Sequence, residues 1–504
     1  MKKIISVIVF VALLFSVSVV LSCGDSGANT GNGPDNPAGN SGTGDVPGED
    51  TGGEFTDVPE EESFDPGLPE ADFEGYNFRI LNIHPDDMWW AIVDADIEEQ
   101  DGEVVNDAIY MRNRIIEDRY KFEIEETNMN RSALANAMRR SVTAGADDYD
   151  VALPYSQDLP GLINNNTLLN LKRVDHLNFD KPWWNTDVSH YFSIDNKLLF
   201  AMSDLLLTDN DDVVITMYNR DLAANLGLDG VEPLYRLVEE GKWTMDKFTQ
   251  LTRDASADLT GSGIIDYGED RFGLTAVSWL QLAMIGGFNE FFVSKDENDI
   301  PYLSCNTERF QKAYQTMTEF LNRREWVALD GRENIGSTEV VFASDRALMC
   351  IQVLSCVRLY REMESDFGIL PMPKLDEEQE KYSSYMVGST CITIPKTNPN
   401  PTRTGLILEA LSAESRRLVI PAYYEVALGS KYLRDEGSVK MLDIILDNRV
   451  YDILEVIYGW GSFSTDVYNL SVRGDLNFAS LLESREGRVT AAIEKTLEAY
   501  AEVE

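Results

Sequence analysis

Histidine is nearly absent from this sequence: His84, His176 and His190 are the only three in 504 residues. There is no H-E-x-x-H pair and no His–Cys cluster, so a zinc site lacks its usual ligands. No G-x-S-x-G elbow and no G-x-x-x-x-G-K-[ST] loop occurs, which removes the commonest serine-hydrolase and phosphate-loop chemistries. Positive charge is scarce as well, with 43 Lys and Arg against 86 Asp and Glu, a net charge of −43. With no basic patch to release counterions or to hold anionic headgroups, nucleic acid is excluded and adhesion to a charged membrane surface is disfavoured. Cysteine is sparse and shows no C-x-x-C spacing. Cys305, Cys350, Cys356 and Cys391 lie in apolar or mixed strings such as "ALMCIQV" and "GSTCITI", which suits buried thiols and leaves one bridge open.

Long runs made almost wholly of apolar residues are scarce too, and one stands at the start. "MKKIISVIVFVALLFSVSVVLSC" puts Lys2 and Lys3 ahead of the uncharged stretch Ile4 to Ser22, followed by Cys23. The run resembles the export signal and lipobox of bacterial lipoproteins, in which the cysteine takes up lipid and becomes the mature N-terminus. That resemblance implies a signal peptide over 1–22 and lipidation at Cys23. An uncleaved transmembrane anchor is the competing reading. Both put the rest of the chain outside the cytoplasmic membrane, on its extracellular face or on the periplasmic side where an outer membrane exists. From Gly24 to Asp72 there are 13 acidic residues, no Lys or Arg, and repeated Gly and Pro. So little apolar surface cannot offset the entropy of ordering, and 23–72 is expected as a disordered tether spanning about 40 Å, more under self-repulsion. Attachment to the membrane then falls to the lipid alone.

The remaining chain, 73–504, exceeds what one hydrophobic core usually covers, and two lobes are the natural expectation. "YNFRILNI" reads as a first strand, "NDAIYMRNRIIEDRYKFEIEE" as a helix followed by a second, and "DYDVALPY" as a compact third. Strands alternating with helices at this spacing indicate parallel α/β units. "LFAMSDLL" and "DVVITMYN" read as two more strands. A helical middle follows, in which Thr244 is placed to cap "MDKFTQLTRDA". Strands return in "RALMCIQV", "DFGILPMPK" and "TCITIPK", and helices run from about Pro401 onward.

Four of these strings carry a resemblance. "VVITMYNRDLAANLGL" looks like the crossover strand and helix start of extracellular solute-binding proteins of ABC importers. "VVFASDRALMCIQVLS" with "FGILPMPK" resembles the returning segment of that family. "GKWTMDKFTQLTRDA" resembles a helix of its sugar-binding branch, and "YYEVALGSKYLRDEGSVKMLDIILDNRVYDI" its C-terminal region. The resemblance spans nearly all of 76–504. It implies an α/β, two-lobed periplasmic-binding-protein-like fold (type II), with hinge strands between lobes and ligand in the cleft. The expected division is 73–207 plus 337–380 for the first lobe and 208–336 plus 390–504 for the second. It further implies a monomer with no catalysis that captures a sugar or oligosaccharide and delivers it to separate permease subunits. A tethered carbohydrate-active enzyme, or the same fold with a peptide or other nutrient, are the rival readings.

A sugar offers a flat C–H face and a rim of hydroxyls, so its site wants aromatic platforms beside polar groups. Trp89, Trp90, Trp279, Tyr424 and Trp460 are the aromatic candidates chosen, with Trp183-Trp184 and Tyr423 also in view. Asp87, Gln157, Asp204 and Gln352 are the polar ones. In open α/β sheets ligands sit at strand carboxyl ends, which favours Trp89, Trp90, Tyr155 and Gln157. "DLTGSGIIDYGE" lays onto a twelve-residue calcium loop, with Asp258, Thr260, Ser262, the Ile264 carbonyl, Asp266 and Glu269 at the ligand positions. Two of its carboxylates have become hydroxyls, so a structural calcium is expected only from a degenerate loop; no other cofactor is. The acidic strings "DDYD" (147–150) and "DNDD" (209–212) read as solvated loop edges.

Overall fold

Tyr76–Ile83 forms the central strand (β1) of a three-stranded parallel sheet. It begins half-exposed and ends buried on both faces, as a strand covered by helices must. Phe122–Met129 (β2) pairs along its full length on one side, and Val151–Ala152 (β3) pairs with Ile80 and Leu81 on the other. The intervening helix Val104–Tyr120 starts where the Glu103 carboxylate accepts from the amides of Val105 and Asn106. It stops at Lys121, which turns left-handed with φ 55°. This computed structural model describes residues 64–330, 337–360, 362–429 and 436–504. The signal peptide 1–22, Cys23 and most of the tether expected to 72 lie outside the described residues. Among the described residues no helix is long and apolar enough to cross a membrane.

A second sheet holds five strands in the order β10-β4-β9-β5-β8: Phe367–Leu370, Val214–Asn219, Ala347–Val353, Phe272–Val277 and Val327–Asp330. β5, β8 and β9 run parallel, so their carboxyl ends share one edge, while β4 runs against β9 and β10. β4 and β9 are buried at every position, which matches their mostly apolar sequences. Two small pairings complete the strands: the hairpin β6–β7 (Val293–Lys295, Pro301–Leu303) and β11–β12 (Ser384–Tyr385, Arg449–Val450).

The two-lobed α/β architecture is the expected one, but the returning segments are exchanged. Expected with the first lobe, 337–380 instead supplies β9 and β10 to the sheet built on β4. Expected with the second, the stretch after 390 returns to the first lobe: Ile392 bridges Ala201, Thr393 bridges Ala152 and Pro395 bridges Leu168. The helix Pro401–Gly429 then packs on Val104–Tyr120, burying Leu406, Ile407, Leu408 and Leu411 with Phe78, Ile80 and Ile116. Glu436–Asp447 packs on β10, and Phe463–Val472 and Phe478–Ala501 pack on Glu308–Leu321 of the second lobe, while Leu454–Tyr458 lies against Ser156–Asp158 and Leu159–Ile163 of the first. Strands expected in "LFAMSDLL" and "TCITIPK" survive only as these isolated bridges. All four described cysteines are free and buried.

Two stretches connecting the lobes lie side by side, around 207–213 and 386–391. The Thr208 hydroxyl meets the hydroxyls of Ser389 (2.7 Å) and Thr390 (2.6 Å), and Val213 bridges Met386.

Candidate ligand-binding cleft

Parallel strands leave their carboxyl ends free, and here both sheets aim those ends at one gap. From the first lobe, β1 runs into the turn Pro85–Met88 and then Trp89 and Trp90, while β3 runs into Tyr155. From the second lobe, β5 ends beside Trp279, β8 at Asp330 and β9 at Gln352. These residues, with Asp212 from the first connecting stretch, line a cavity of about 270 Å³. A second cavity of about 250 Å³ shares Trp279 and Val387 with it, and adds Gln157, Glu455 and Tyr468.

Six of the ten residues expected to bind ligand therefore meet in this pair of cavities: Trp89, Trp90, Tyr155, Gln157, Trp279 and Gln352. Exposure separates platform from core. Trp89 is 61% and Trp279 54% exposed, whereas a tryptophan used for packing is buried. Trp89 and Trp90 stand edge to face, their centroids 5.9 Å apart. Gln352 Nε2 donates to Glu339 Oε1 at 3.3 Å, and Gln157 Oε1 accepts from Arg131. The same guanidinium lies 4.0 Å from the centroid of the Tyr155 ring.

The other four expected residues are elsewhere, each for a visible reason. Asp87 caps a helix, its Oδ2 accepting from the Arg131 amide at 2.7 Å. Asp204 is paired with Arg416 at 3.5 Å. Tyr424 lies on Pro401–Gly429, its ring beside Tyr423. Trp460 is core: it stacks on Tyr458 at 4.8 Å and donates to Thr496 Oγ1. Trp183 and Trp184 are buried too, both donating to the Glu409 carboxylate.

The string "DNDD" is buried rather than solvated. Asp209 pairs with Arg449, and Asp211 accepts from the Ile92 amide (2.9 Å) and the Tyr423 hydroxyl (2.8 Å). Asp212 accepts from Trp90 Nε1 (3.0 Å) and the Tyr155 hydroxyl (3.2 Å). Asp150 in "DDYD" is likewise buried, against Arg79 and Tyr76. Burial, reinforced by neighbouring Asp211, raises the Asp212 carboxyl to about 8. Burial also lifts Glu455, bonded to the Tyr385 hydroxyl at 2.8 Å, to about 8. Both are thus neutral acids at pH 7. The Cys356 thiol, on the wall of the first cavity, is pushed up to about 12 by burial and is no nucleophile.

Asp212, like Asp330 and Glu339, is a wall residue that sequence reasoning missed. Its signal was position: five polar residues enclosed between apolar "LLL" and "VVI" cannot all reach water if the stretch joins two packed bodies.

The residues of the expected calcium loop are bonded largely to one another. Asp258 turns onto the loop's own backbone, accepting from the amides of Gly261 and Gly263, both at 2.7 Å. The Thr260 hydroxyl donates to Asp258 and the Ser262 hydroxyl to the Ile264 carbonyl, so four of the six expected ligand positions are bonded to one another within the loop. Asp266 and Glu269 add no convergent group: among the described residues no three His, Cys, Asp or Glu side chains gather as a metal site.

A larger groove of about 600 Å³ lies between 172–196 and the β6–β7 hairpin. None of the strands of the two main sheets ends in it. Its central cation, Lys295, is already bonded to the carbonyls of His190 and Ser193 and to Asp299.

No family profile matches the sequence, and no curated protein matches it. Solved structures do match in fold. The cyclic α-maltosyl-1,6-maltose binding protein of Arthrobacter globiformis superposes with a TM-score of 0.56 at 13% identity, over 83% of this chain and 99% of its own. A cyclo/maltodextrin-binding protein complexed with maltotetraose gives 0.54 at 12%, over 85% and 98%. An ABC transporter solute-binding protein from Thermotoga lettingae, bound with α-D-tagatose, gives 0.51 at 13%, over 84% and 100%. The chain has the fold of these binding proteins.

Proposed function

We propose that this chain captures a carbohydrate between its two lobes and delivers it to the permease of an ABC importer, held to the membrane by lipid on Cys23. The observation that carries the reading is the cleft. Both sheets point their carboxyl ends at it, two tryptophans from opposite lobes stand exposed in it, and Gln157, Gln352 and Glu339 supply hydroxyl partners beside them. The named neighbours in fold bind maltotetraose or tagatose, or take their name from a cyclic maltosyl sugar, which supports the same ligand class. Contacts from both lobes are what a ligand needs to favour a closed state.

No covalent step belongs to this reading. Among the described residues no histidine lines either cavity, and the thiol there is held protonated. The chain works as a monomer on its acidic tether and passes its ligand to separate permease subunits.

Titration calorimetry with maltotetraose, mannotriose and monosaccharides tests it. One-to-one binding without new reducing ends supports capture; steady release of reducing ends would replace it with a glycosidase. Binding of peptides in place of every sugar would leave the fold and overturn the ligand. Metabolic labelling with a radioactive fatty acid, lost in Cys23→Ser, tests the anchor.

A further inference from the structure

The chain between the lobes does more than connect them. Asp212 lies on that chain, is 1% exposed, and is also part of the cavity wall. Its two oxygens are divided between two aromatic walls of the first lobe, Oδ1 taking Trp90 Nε1 and Oδ2 the Tyr155 hydroxyl. A neutral carboxyl group keeps lone pairs on both oxygens and adds one O–H donor, so two rings are held with capacity left for a ligand. The second connecting stretch reaches the same ring from another side. Gly388 is buried against Tyr155, and a methyl group there would overlap the tyrosine hydroxyl and ring edge. The Val387 amide meanwhile donates to the Asp212 carbonyl at 3.3 Å, tying the two stretches together at this point. Tyr155 is thus seated by both.

We propose that Asp212 is the positioning residue of the cleft: from the connecting chain it fixes the Trp90 and Tyr155 rings, so that the lobe angle and the shape of the ligand-binding wall change together. The inference rests on the saccharide reading above for its ligand and on geometry for the rest. A ring held from the moving stretch is preorganised when the lobes are set and displaced when they swing, which makes aromatic contact with ligand conditional on closure.

The test uses the full chain and four variants. Asp212→Ala is expected to weaken maltotetraose or mannotriose, whichever binds wild type more tightly, at least tenfold. Asp212→Asn, which keeps an acceptor oxygen and the volume, is expected to restore part of that loss. Trp90→Phe keeps a ring and removes the N–H. Because Asp212→Ala already deletes that hydrogen bond, the double variant is expected to bind no more weakly than Asp212→Ala alone. Additive losses would overturn the proposal. Gly388→Ala, which changes no charge, is expected to weaken binding by crowding the Tyr155 hydroxyl.

A second readout needs no sugar. The indole N–H resonance of Trp90, assigned by its disappearance in Trp90→Phe, is expected to move in Asp212→Ala and to return towards its wild-type position in Asp212→Asn. An unmoved resonance in a folded variant overturns the proposal whatever the affinities. If the resonance moves but no saccharide binds wild type, the positioning role stands and the carbohydrate reading falls.

Discussion

Glu455 gives the sharpest test of how this body is held together. Glu455 lies in the wall of the second cavity and takes a hydrogen bond from the Tyr385 hydroxyl at 2.8 Å. Burial, with Asp452 nearby, raises it from an ordinary 4.5 to about 8. A carboxyl raised in the folded state binds its proton more tightly folded than unfolded. Its stabilising contribution is therefore complete below about pH 4.5 and is lost as pH climbs through 8. Between pH 6 and 8 the unfolded carboxylate gains the full benefit of ionising while the folded one gains little, a loss of about 2 kcal/mol from this group. Glu455→Gln keeps the acceptor for Tyr385 and cannot titrate. Urea unfolding at pH 6, 7 and 8, followed by tryptophan fluorescence, should show the wild type losing stability with rising pH. The variant should lose about 2 kcal/mol less over the same range. Parallel slopes for the two proteins would refute the argument, since the pH dependence would then arise elsewhere, for example from Asp204 or Glu126, each raised by burial to about 7.

Other substitutions separate the cleft from the core. Trp89→Ala and Trp279→Ala remove exposed rings and should weaken saccharide binding in calorimetry while the thermal midpoint stays near wild type. Trp460→Ala removes a ring stacked on Tyr458 and should cost about 3–5 kcal/mol of stability. Gly273→Ala drives a methyl group into the backbone of Thr252, where nothing flexible can give way, and should lower the urea midpoint by the equivalent of at least about 1–3 kcal/mol. Arg449→Met strands Asp209, which the guanidinium meets at 3.2 Å, and should cost about 3–5 kcal/mol; adding Asp209→Asn should recover much of it.

The first lobe's strands were legible because their sequences carry both period and punctuation. "YNFRILNI" becomes β1 without adjustment, and "DYDVALPY" stops at its proline. Part of the cleft was legible for the same reason: a residue just past the carboxyl end of a parallel strand faces the gap, as expected for Trp89, Trp90 and Tyr155, whereas Trp279 follows β5, a strand the sequence reading did not place. Trp460 failed the same test, being attached to no strand end, and an aromatic residue in a helical run is more simply core. Hydrophobic content cannot say which sheet a buried strand joins, however. β9 and β10 are as apolar as any first-lobe strand, so their assignment had to await the pairing of Met217 with Cys350 and of Tyr218 with Gly368.

The acidic connecting turn shows where composition misleads. In a chain of charge −43, a string such as "DNDD" is read as solvent-facing because most of its kind are. What buries it is a set of donors drawn from distant places: the Ile92 amide, the Trp90 indole, the Tyr155 and Tyr423 hydroxyls and the Arg449 guanidinium. None is a sequence neighbour, and four of the five are uncharged. Neutral donors leave the acid's burial cost only partly met, which is why the Asp211 carboxyl rises to about 6 and that of Asp212 to about 8. A fully paired turn would be the more stable design. A buried turn held mostly by neutral donors and bonded to the walls of a cavity is instead one whose hydrogen bonds can be exchanged at modest cost when the lobes move, and that is the property a hinge requires.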